Sequence, residues 1–519
     1  MARYKDYSYE QTVLIPVCFD RQIQPGTFEY ALNYIVDNEL DLSVFESRFN
    51  NDLTGAPAYD PSIMLKIILF ACSKGMHSSR EIERACRENI IFMALAANTQ
   101  PHFTTIAHFI SSMKDQIIPL FRDVLTLCYS QGLIGKEMFA IDGCKLSANC
   151  SKEWSGTKAD LEKKRLKIEK SIRFLVEKHK RTDLSTSVSS DQIDKERKAI
   201  KNLREKVRKI KDWLSENDDR KGVRNRVLQS NITDNESAKM PTSHGVVQGY
   251  IGSAAVDAKH QVIVHAEVFG LNQEQSVLAP MVEGLKENIE EATEGEEVLQ
   301  STTVIADSGY HSEDNLKMLA YNGIDAYIAD NQFRKRNPLF ADAYKHRKPT
   351  DRDKAKYFHK RFHAADFTLN TRSNTLTCPA GNTLTCITKA FKNTSGLIGP
   401  QYRAKAADCL SCIYKEKCLQ GKRRHPRTVA LFNRRDPNHP VSFQQKMIEM
   451  FDTAKGRFIY SRRMGIVEPV FSNIRNVFGF TRFGLRTKVK VDIQWKLISI
   501  IHNISKLWRY AEGLVPEGA

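Results

Sequence analysis

Residues 158–214 constrain the fold more than any other stretch. Leu161, Ile168, Ile172 and Leu175 are spaced by 7, 4 and 3 residues. After the Ser/Thr-rich turn Leu184–Ser190 come Ile193, Ile200, Leu203, Val207, Ile210 and Leu214, spaced by 7, 3, 4, 3 and 4. Apolar side chains at three- and four-residue steps form one stripe on a helix. Two such stripes joined by a short polar turn bury each other as an antiparallel helical hairpin. Its outer face is dense in Lys and Arg, which suits solvent and DNA equally. A helical arm of this kind is an insertion, so the sequence on either side must supply the main core.

Flanking the arm are short β-rich runs. Met138–Ile141 ends in Asp142, and Thr302–Ala306 ends in Asp307. Gly249–Val256 and Gln261–Val268 read as strands joined by the hairpin turn Asp257–His260. Helices are predicted near Glu274–Leu285 and over Ser312–Tyr321, with a strand over Ala326–Ala329. Strands alternating with helices predict a mixed α/β sheet. A strand end is a rigid platform, and two such ends on one sheet can aim two carboxylates at a common point.

A third acid lies on a helix. Val467, Val470, Phe471, Ile474, Val477 and Phe478 form the buried stripe of Ile466–Phe478, and Glu468 flanks that stripe. Arg475, two turns on, falls on the same face. Pro469 requires the helix to begin near it or kink there. A second periodic helix, Val491–Tyr510, follows Gly479–Lys490. Three converging carboxylates are what two hard divalent cations need for an in-line phosphoryl displacement. Arg475 would then meet a phosphate. Each acid by itself also reads as a turn former or helix cap. Gaps of 165 and 161 residues fit one compact site only if the hairpin and the basic, aromatic stretch 331–427 are insertions. That stretch is punctuated by Phe333–Arg336, Lys345–Lys348 and Lys422–His425.

The N-terminal quarter reads as helices. Asp60-Pro61 opens a run through Met64, Ile67, Ile68 and Ala71 that stops at Gly75. Ser78 starts a capping box with Glu81 ahead of helix Arg80–Asn89. A further helix begins near Thr104–Thr105 and carries Ile106, Phe109 and Ile110. With Arg80, Arg84 and Arg87 on one surface, these helices suit a helix-turn-helix-type DNA reader, or an ordinary bundle with a basic face. The formal net charge of +17 suits a polyanion partner, though it also serves solubility. No phosphate-cradling G-x-x-x-x-G-K-[ST] segment occurs, so no nucleotide cofactor is expected. No run is long and apolar enough to span a bilayer, and Met1–Thr12 has no signal-peptide core. A reducing cytoplasm is the expected setting, with no membrane partner.

The motifs resemble the DDE transposases of bacterial insertion sequences, in the branch with a Y–R–E–K signature. The resemblance spans roughly residues 15–510. Tyr59-Asp-Pro61, Ser78–Ile82 and Phe103–Ile106 are similar to the helical N-terminal domain of that family. Phe139–Lys145 with Ala148-Asn149 looks like the strand of the first Asp. Asn231–Asp234, Ser237 and Gly249-Tyr250 are similar to the segment that follows. Val304–Tyr310 looks like the second-Asp motif, and Tyr460, Arg463, Val467–Pro469 and Arg475 resemble the Glu signature. Arg475 stands where the signature ends in Lys, and Ile251 follows Tyr250 where the family often has Asn.

The resemblance implies a ribonuclease-H-like core that moves an element with terminal inverted repeats by cut and paste. It implies Asp142, Asp307 and Glu468 as ligands of two Mg²⁺ or Mn²⁺ ions, and Tyr460, Arg463 and Arg475 on the DNA. The implied partners are double-stranded DNA, both the terminal repeats and the target, and a second copy of the chain, since two ends must be joined. The rivals are a nuclease that cuts without inserting and a DNA-binding relative with a dead core.

Cys409-x2-Cys412-x5-Cys418 downstream of Cys378 offers four thiolates for a structural zinc, with reduced buried thiols as the alternative; Cys386 is a spare candidate. The expected organisation is a helical DNA-binding domain (1–128), a catalytic core in two parts (129–157 and 221–330) around the inserted hairpin (158–220), a basic Cys-rich zinc-ribbon-like insertion (331–430) and C-terminal catalytic helices (431–519).

Overall fold

The computed structural model describes residues 16–49, 57–182, 190–221, 227–242, 245–271, 273–340, 362–393, 396–419, 425–435 and 441–514. The turn Leu184–Ser190, apart from Ser190, the basic stretch Lys345–Lys348 and most of Lys422–His425 lie outside the described residues. The chain forms two compact units: Met1–Ala329 with Lys455–Ala519, and Asp330–Ala454.

The first unit is built on a mixed sheet. Its strands are β1 (Met138–Ser147), β2 (Ala238–Thr242), β3 (Gly245–Asp257), β4 (Ile263–Phe269), β5 (Thr303–Ala306) and β6 (Asp325–Ile328). The long strand β3 pairs antiparallel with β1 along one edge and with β2 and β4 along the other. On its far side β1 pairs parallel with β5, and β5 pairs parallel with β6. Four antiparallel strands, β1 to β4, therefore continue into the parallel strands β5 and β6. The inner strands are buried on both faces, as Ala254–Val256 and Val304–Ala306 show.

Helices cover this sheet. α1 (Phe28–Asn38), α2 (Pro61–Ser73), α3 (Ser79–Glu88), α4 (Ile90–Leu95), α5 (Phe103–Ser111) and α6 (Ile117–Ser130) precede β1. α2 buries every residue from Met64 to Cys72, with Pro61 at its first turn and the Asp60 carboxylate accepting from Ser62 N–H at 2.7 Å. Ser78 does stand at the N-cap of α3, but its hydroxyl makes no capping hydrogen bond, which corrects the expected capping box. α7 (Lys158–Thr182) and α8 (Ser190–Glu216) form the arm. Lys158 meets Asp218, Lys211 meets Glu169 and Lys178 meets Glu196, so the two helices run antiparallel. The base of their seam is Leu161, Ile210 and Trp213, with Leu214 only partly buried. α9 (Leu278–Ala292) and α10 (Glu313–Tyr321) flank β5 in sequence, and α11 (Ala454–Ser461), α12 (Arg463–Ser472) and α13 (Lys488–Tyr510) end the chain. α13 buries Trp495 and Ile498–Leu507. The indole N–H of Trp495 donates to the Ser253 carbonyl at 2.8 Å, which ties the helix to β3.

Two local expectations need correction. β1 does not stop at Asp142: it runs on through Ser147 in register with Gly249–Ala254. Beyond α12, residues Asn473–Val477 form a π-turn, and Phe478 N–H bonds the Asn473 carbonyl. The wider turn rotates its last residue off the buried stripe, leaving Val477 61% exposed while Phe478 is buried.

The second unit is a six-stranded antiparallel sheet: β7 (Thr368–Asn370), β8 (Thr375–Thr377), β9 (Thr383–Lys392), β10 (Leu397–Ala404), β11 (Thr428–Ala430) and β12 (Arg434–Arg435). Its small core is Phe367, Leu376, Leu384, Tyr402, Ala404 and Val429, with Cys378, Cys386, Cys409 and Cys418 packed against it. Among the described residues no helix is long and apolar enough to cross a membrane.

Candidate active site

The register of the parallel pair places the two acids. Ile141 on β1 is the partner of Ala306 on β5, so the next residues, Asp142 and Asp307, are neighbours across adjacent strands. Strands this close put their side chains within about 5 Å of one another. Two carboxylates so near need a cation, and Arg463 in the first turn of α12 supplies it. Its guanidinium donates to Asp142 Oδ2 at 2.8 Å and lies 3.7 Å from Asp307 Oδ1. The three side chains are 12%, 23% and 39% exposed for Arg463, Asp142 and Asp307, so the cluster is sheltered but open on the Asp307 side.

Burial raises the Asp142 carboxyl above its usual range, and the charge of Asp307 adds to this; Arg463 and the Gly143 N–H work against it. Burial works to lower the Arg463 guanidinium, but Asp142, Tyr460 and Asp307 outweigh it and hold it protonated. Tyr460, on α11, donates its hydroxyl to Asp307 at 3.5 Å and stacks its ring 5.8 Å beneath the guanidinium. Burial pushes its phenol up to about 12. Tyr460 and Arg463 therefore meet the two acids.

Glu468 is exposed on α12, five residues after Arg463. Among the described residues no three His, Cys, Asp or Glu side chains are grouped so as to hold a metal ion. The expected convergence of all three acids is thus not present; two of the three come together. Arg475, on the π-turn, is exposed and lines a groove of about 830 Å³ beside the site, together with Gly143–Leu146, Pro241, Thr242, Val247, Glu274, Phe471 and Thr481. Arg475 approaches the buried Cys144 thiol, which burial pushes up to about 12. On α3, Arg80 and Arg84 are exposed one turn apart, Arg80 lying 4.6 Å over the Phe103 ring; Arg87 is ion-paired with Glu83 at 2.5 Å.

Sequence reasoning missed Glu274. It pairs with Lys145 at 3.2 Å, and a Cβ on Gly309 would come within 2.3 Å of its carboxylate, so it packs against the loop that follows Asp307. Tyr310 is buried, and its phenol is raised by burial and then by Asp142, Glu274 and Asp307. Its hydroxyl and that of Ser253 are buried beside Gly143 and face each other. Glu274 precedes an ordinary helix and carries no motif; only the fold brings it to the Asp307 loop.

In the second unit Cys378, Cys409, Cys412 and Cys418 line one cavity of about 20 Å³. Tyr414 N–H donates to Cys412 Sγ at 3.4 Å and Arg427 N–H to Cys409 Sγ at 3.5 Å. Burial raises the Cys418 thiol, and the other three cysteines add to this against Arg427.

With paired acids at the junction of its antiparallel and parallel halves, the first unit's sheet defines a ribonuclease-H-like α/β protein. Two family models match the chain: one described as a transposase DDE domain over residues 377–508, and one described as a transposase domain over residues 17–112. Together they support a DDE transposase of an insertion element. The first match spans the four cysteines, Tyr460, Arg463, Glu468 and Arg475, while Asp142 and Asp307 lie between the two matched stretches. No curated protein matches the chain.

Proposed function

We propose that this chain cuts DNA at the ends of a mobile element and joins those ends to a target, with Asp142, Asp307 and Glu468 as ligands of divalent metal ions. One observation carries the reading: Asp142 and Asp307 stand side by side on parallel strands and share one cation, the Arg463 guanidinium. A paired, sheltered set of oxygen donors already satisfied by positive charge is chemically suited to Mg²⁺ or Mn²⁺. When bound, a pair of such ions stabilises the attacking and leaving oxygens of an in-line phosphoryl displacement. Glu468 is proposed as the third ligand because it lies on the helix whose first turn already reaches the pair.

The chain's own residues do the rest. Asp142, held on β1, and Asp307, held by the end of β5, keep the donors fixed relative to each other. Tyr460 orients Asp307 through its hydroxyl. Arg463 and Arg475 offer guanidinium forks to backbone phosphates beside the scissile bond. Arg80 and Arg84, exposed on α3, are proposed to grip the terminal repeat, with residues 1–128 as the reading domain and the core of 129–157 and 221–330 as the catalytic one. The arm of 158–220, the insertion of 331–430 and the helices of 431–519 complete this division. The four cysteines line one small cavity and are proposed to close around a structural zinc, although among the described residues no three of them are grouped as metal ligands in this structure. Two copies acting together would join both ends, on DNA in the bacterial cytoplasm.

The test is incubation of the protein with labelled DNA carrying the inverted repeats that flank its reading frame, plus a target plasmid and Mg²⁺ or Mn²⁺. Nicking at the repeat ends and joined products are expected. Cutting without joining would favour a nuclease, and binding without cutting a relative with a dead core.

A further inference from the structure

Arg463 does more than neutralise. Its two terminal nitrogens face two different carboxylates, the Tyr460 hydroxyl is a further neighbour, and among the described residues its Nε is buried without a partner. A guanidinium is a rigid fork that fits carboxylates and phosphates alike. In its present position one donor, Nε, is unused among the described residues, and a phosphate would offer the fork another anion of matching shape. The lone pairs it holds on Asp142 and Asp307 are those a divalent cation would need. A guanidinium and a dication repel each other, so the two compete for the same carboxylate oxygens.

We propose that Arg463 is a built-in surrogate cation: it occupies the Asp142–Asp307 pair until a DNA phosphate draws it away, so that DNA binding and divalent-cation binding promote each other. The inference rests on the metal-site reading above. Linkage makes the coupling reciprocal: if DNA raises the affinity for the cation, the cation raises the affinity for DNA by the same factor. The residue then acts as a gate. Without DNA the carboxylates are guarded, which disfavours hydrolysis of unspecific phosphodiesters; with DNA seated, the same side chain becomes a phosphate contact.

The experiment is Mn²⁺ titration of the full-length chain, read by the paramagnetic resonance signal of free Mn²⁺. Wild type, Arg463→Ala, Arg463→Gln and the double variant Asp142→Asn/Asp307→Asn are compared. Each is measured alone and with a short blunt DNA duplex, after subtracting the Mn²⁺ that the duplex alone takes up. Without DNA, both Arg463 variants are expected to bind Mn²⁺ about tenfold more tightly than wild type, in the range of ordinary allosteric coupling. The duplex is expected to tighten Mn²⁺ binding to wild type and to leave the Arg463 variants unchanged. Equal affinity of wild type and Arg463→Gln, or no effect of the duplex on wild type, overturns the proposal. The duplex arm uses the unaltered chain, so it decides the matter even if Arg463→Ala does not fold. The double variant separates the two readings. If it binds Mn²⁺ like wild type, the metal-site assignment itself fails; if it loses the site while the Arg463 variants do not tighten, only the surrogate-cation proposal fails.

Discussion

Replacing Arg463 with alanine leaves Asp142 and Asp307 facing each other without their counter-charge. Breaking a fully buried pair by removing one partner costs about 3–5 kcal/mol, whereas an exposed pair contributes about 0–1 kcal/mol. The Arg463 side chain is 12% exposed and Asp142 23%, but Asp307 is 39% exposed and screened by solvent. An intermediate cost of about 2 kcal/mol follows. The sign of its pH dependence is also determined. The Asp142 carboxyl is already raised by burial and by Asp307, and without Arg463 it rises further. A carboxyl with a raised folded-state pKa costs stability above that pKa, and the cost disappears as the group protonates. The penalty should therefore be largest near pH 8 and shrink as pH falls through the raised Asp142 value. Urea unfolding with a chelator present, at pH 8 and pH 5, measures it. The double change Arg463→Ala/Asp142→Asn should recover most of the loss at pH 8, because a neutral amide no longer repels Asp307. If Arg463→Ala is as stable as wild type at pH 8, or if Asp142→Asn does not rescue it, the charge-cluster argument is refuted.

Three further outcomes follow from other parts of the molecule. His502 is buried between Asn473 and the Gln261 carbonyl, and burial lowers its imidazole to about 3. Below its ordinary value of 6.5 only the unfolded chain takes up a proton, so stability present above pH 6.5 is lost as pH falls toward 3, by about 1.4 kcal/mol per pH unit; His502→Gln should remove that slope in urea titrations. A methyl group on Gly249 would sit 1.9 Å from the Leu146 carbonyl oxygen, between β3 and β1, so Gly249→Ala should destabilise the first unit by about 1–3 kcal/mol, and an unchanged unfolding midpoint would contradict the close approach. The purified chain should carry one zinc by atomic emission, and Cys412→Ser should lose it; a zinc-free wild type, purified without chelator, would leave the cysteines as reduced thiols.

The hairpin was the most legible part of the chain, because a seam at steps of three and four has one physical solution. Even so, Trp213 rather than Leu214 fills its base, a difference of one step round the helix that spacing alone could not settle. The two strand-borne acids were legible as well, since β-rich runs ending in Asp are local patterns. The extent of β1 was not: Gly143 interrupts the apolar run, although Cys144 and Leu146 continue the alternation as buried residues. The displacement of Val477 was illegible because nothing in Asn473–Val477 marks a π-turn. The second unit's sheet was hidden by its threonines: the runs Thr375–Thr377 and Thr383–Thr385 each bury a single leucine. The partnership of Arg463 with Asp142 spans 321 residues and depends on how α12 meets the sheet, so no local pattern could carry it. Glu274 is hidden for the same reason.

The central claim is that the Asp142–Asp307 pair, completed by Glu468, holds the metal ions of a DNA-cutting site. The most direct test compares wild type with Asp142→Asn, Asp307→Asn and Glu468→Gln for Mg²⁺- or Mn²⁺-dependent nicking of DNA bearing the flanking repeat, with DNA binding measured on the same preparations in chelator. Nicking is expected to be lost in all three variants while binding is retained. Nicking that persists in Asp142→Asn or Asp307→Asn would contradict the claim, and nicking that persists in Glu468→Gln alone would move the third ligand to another acid.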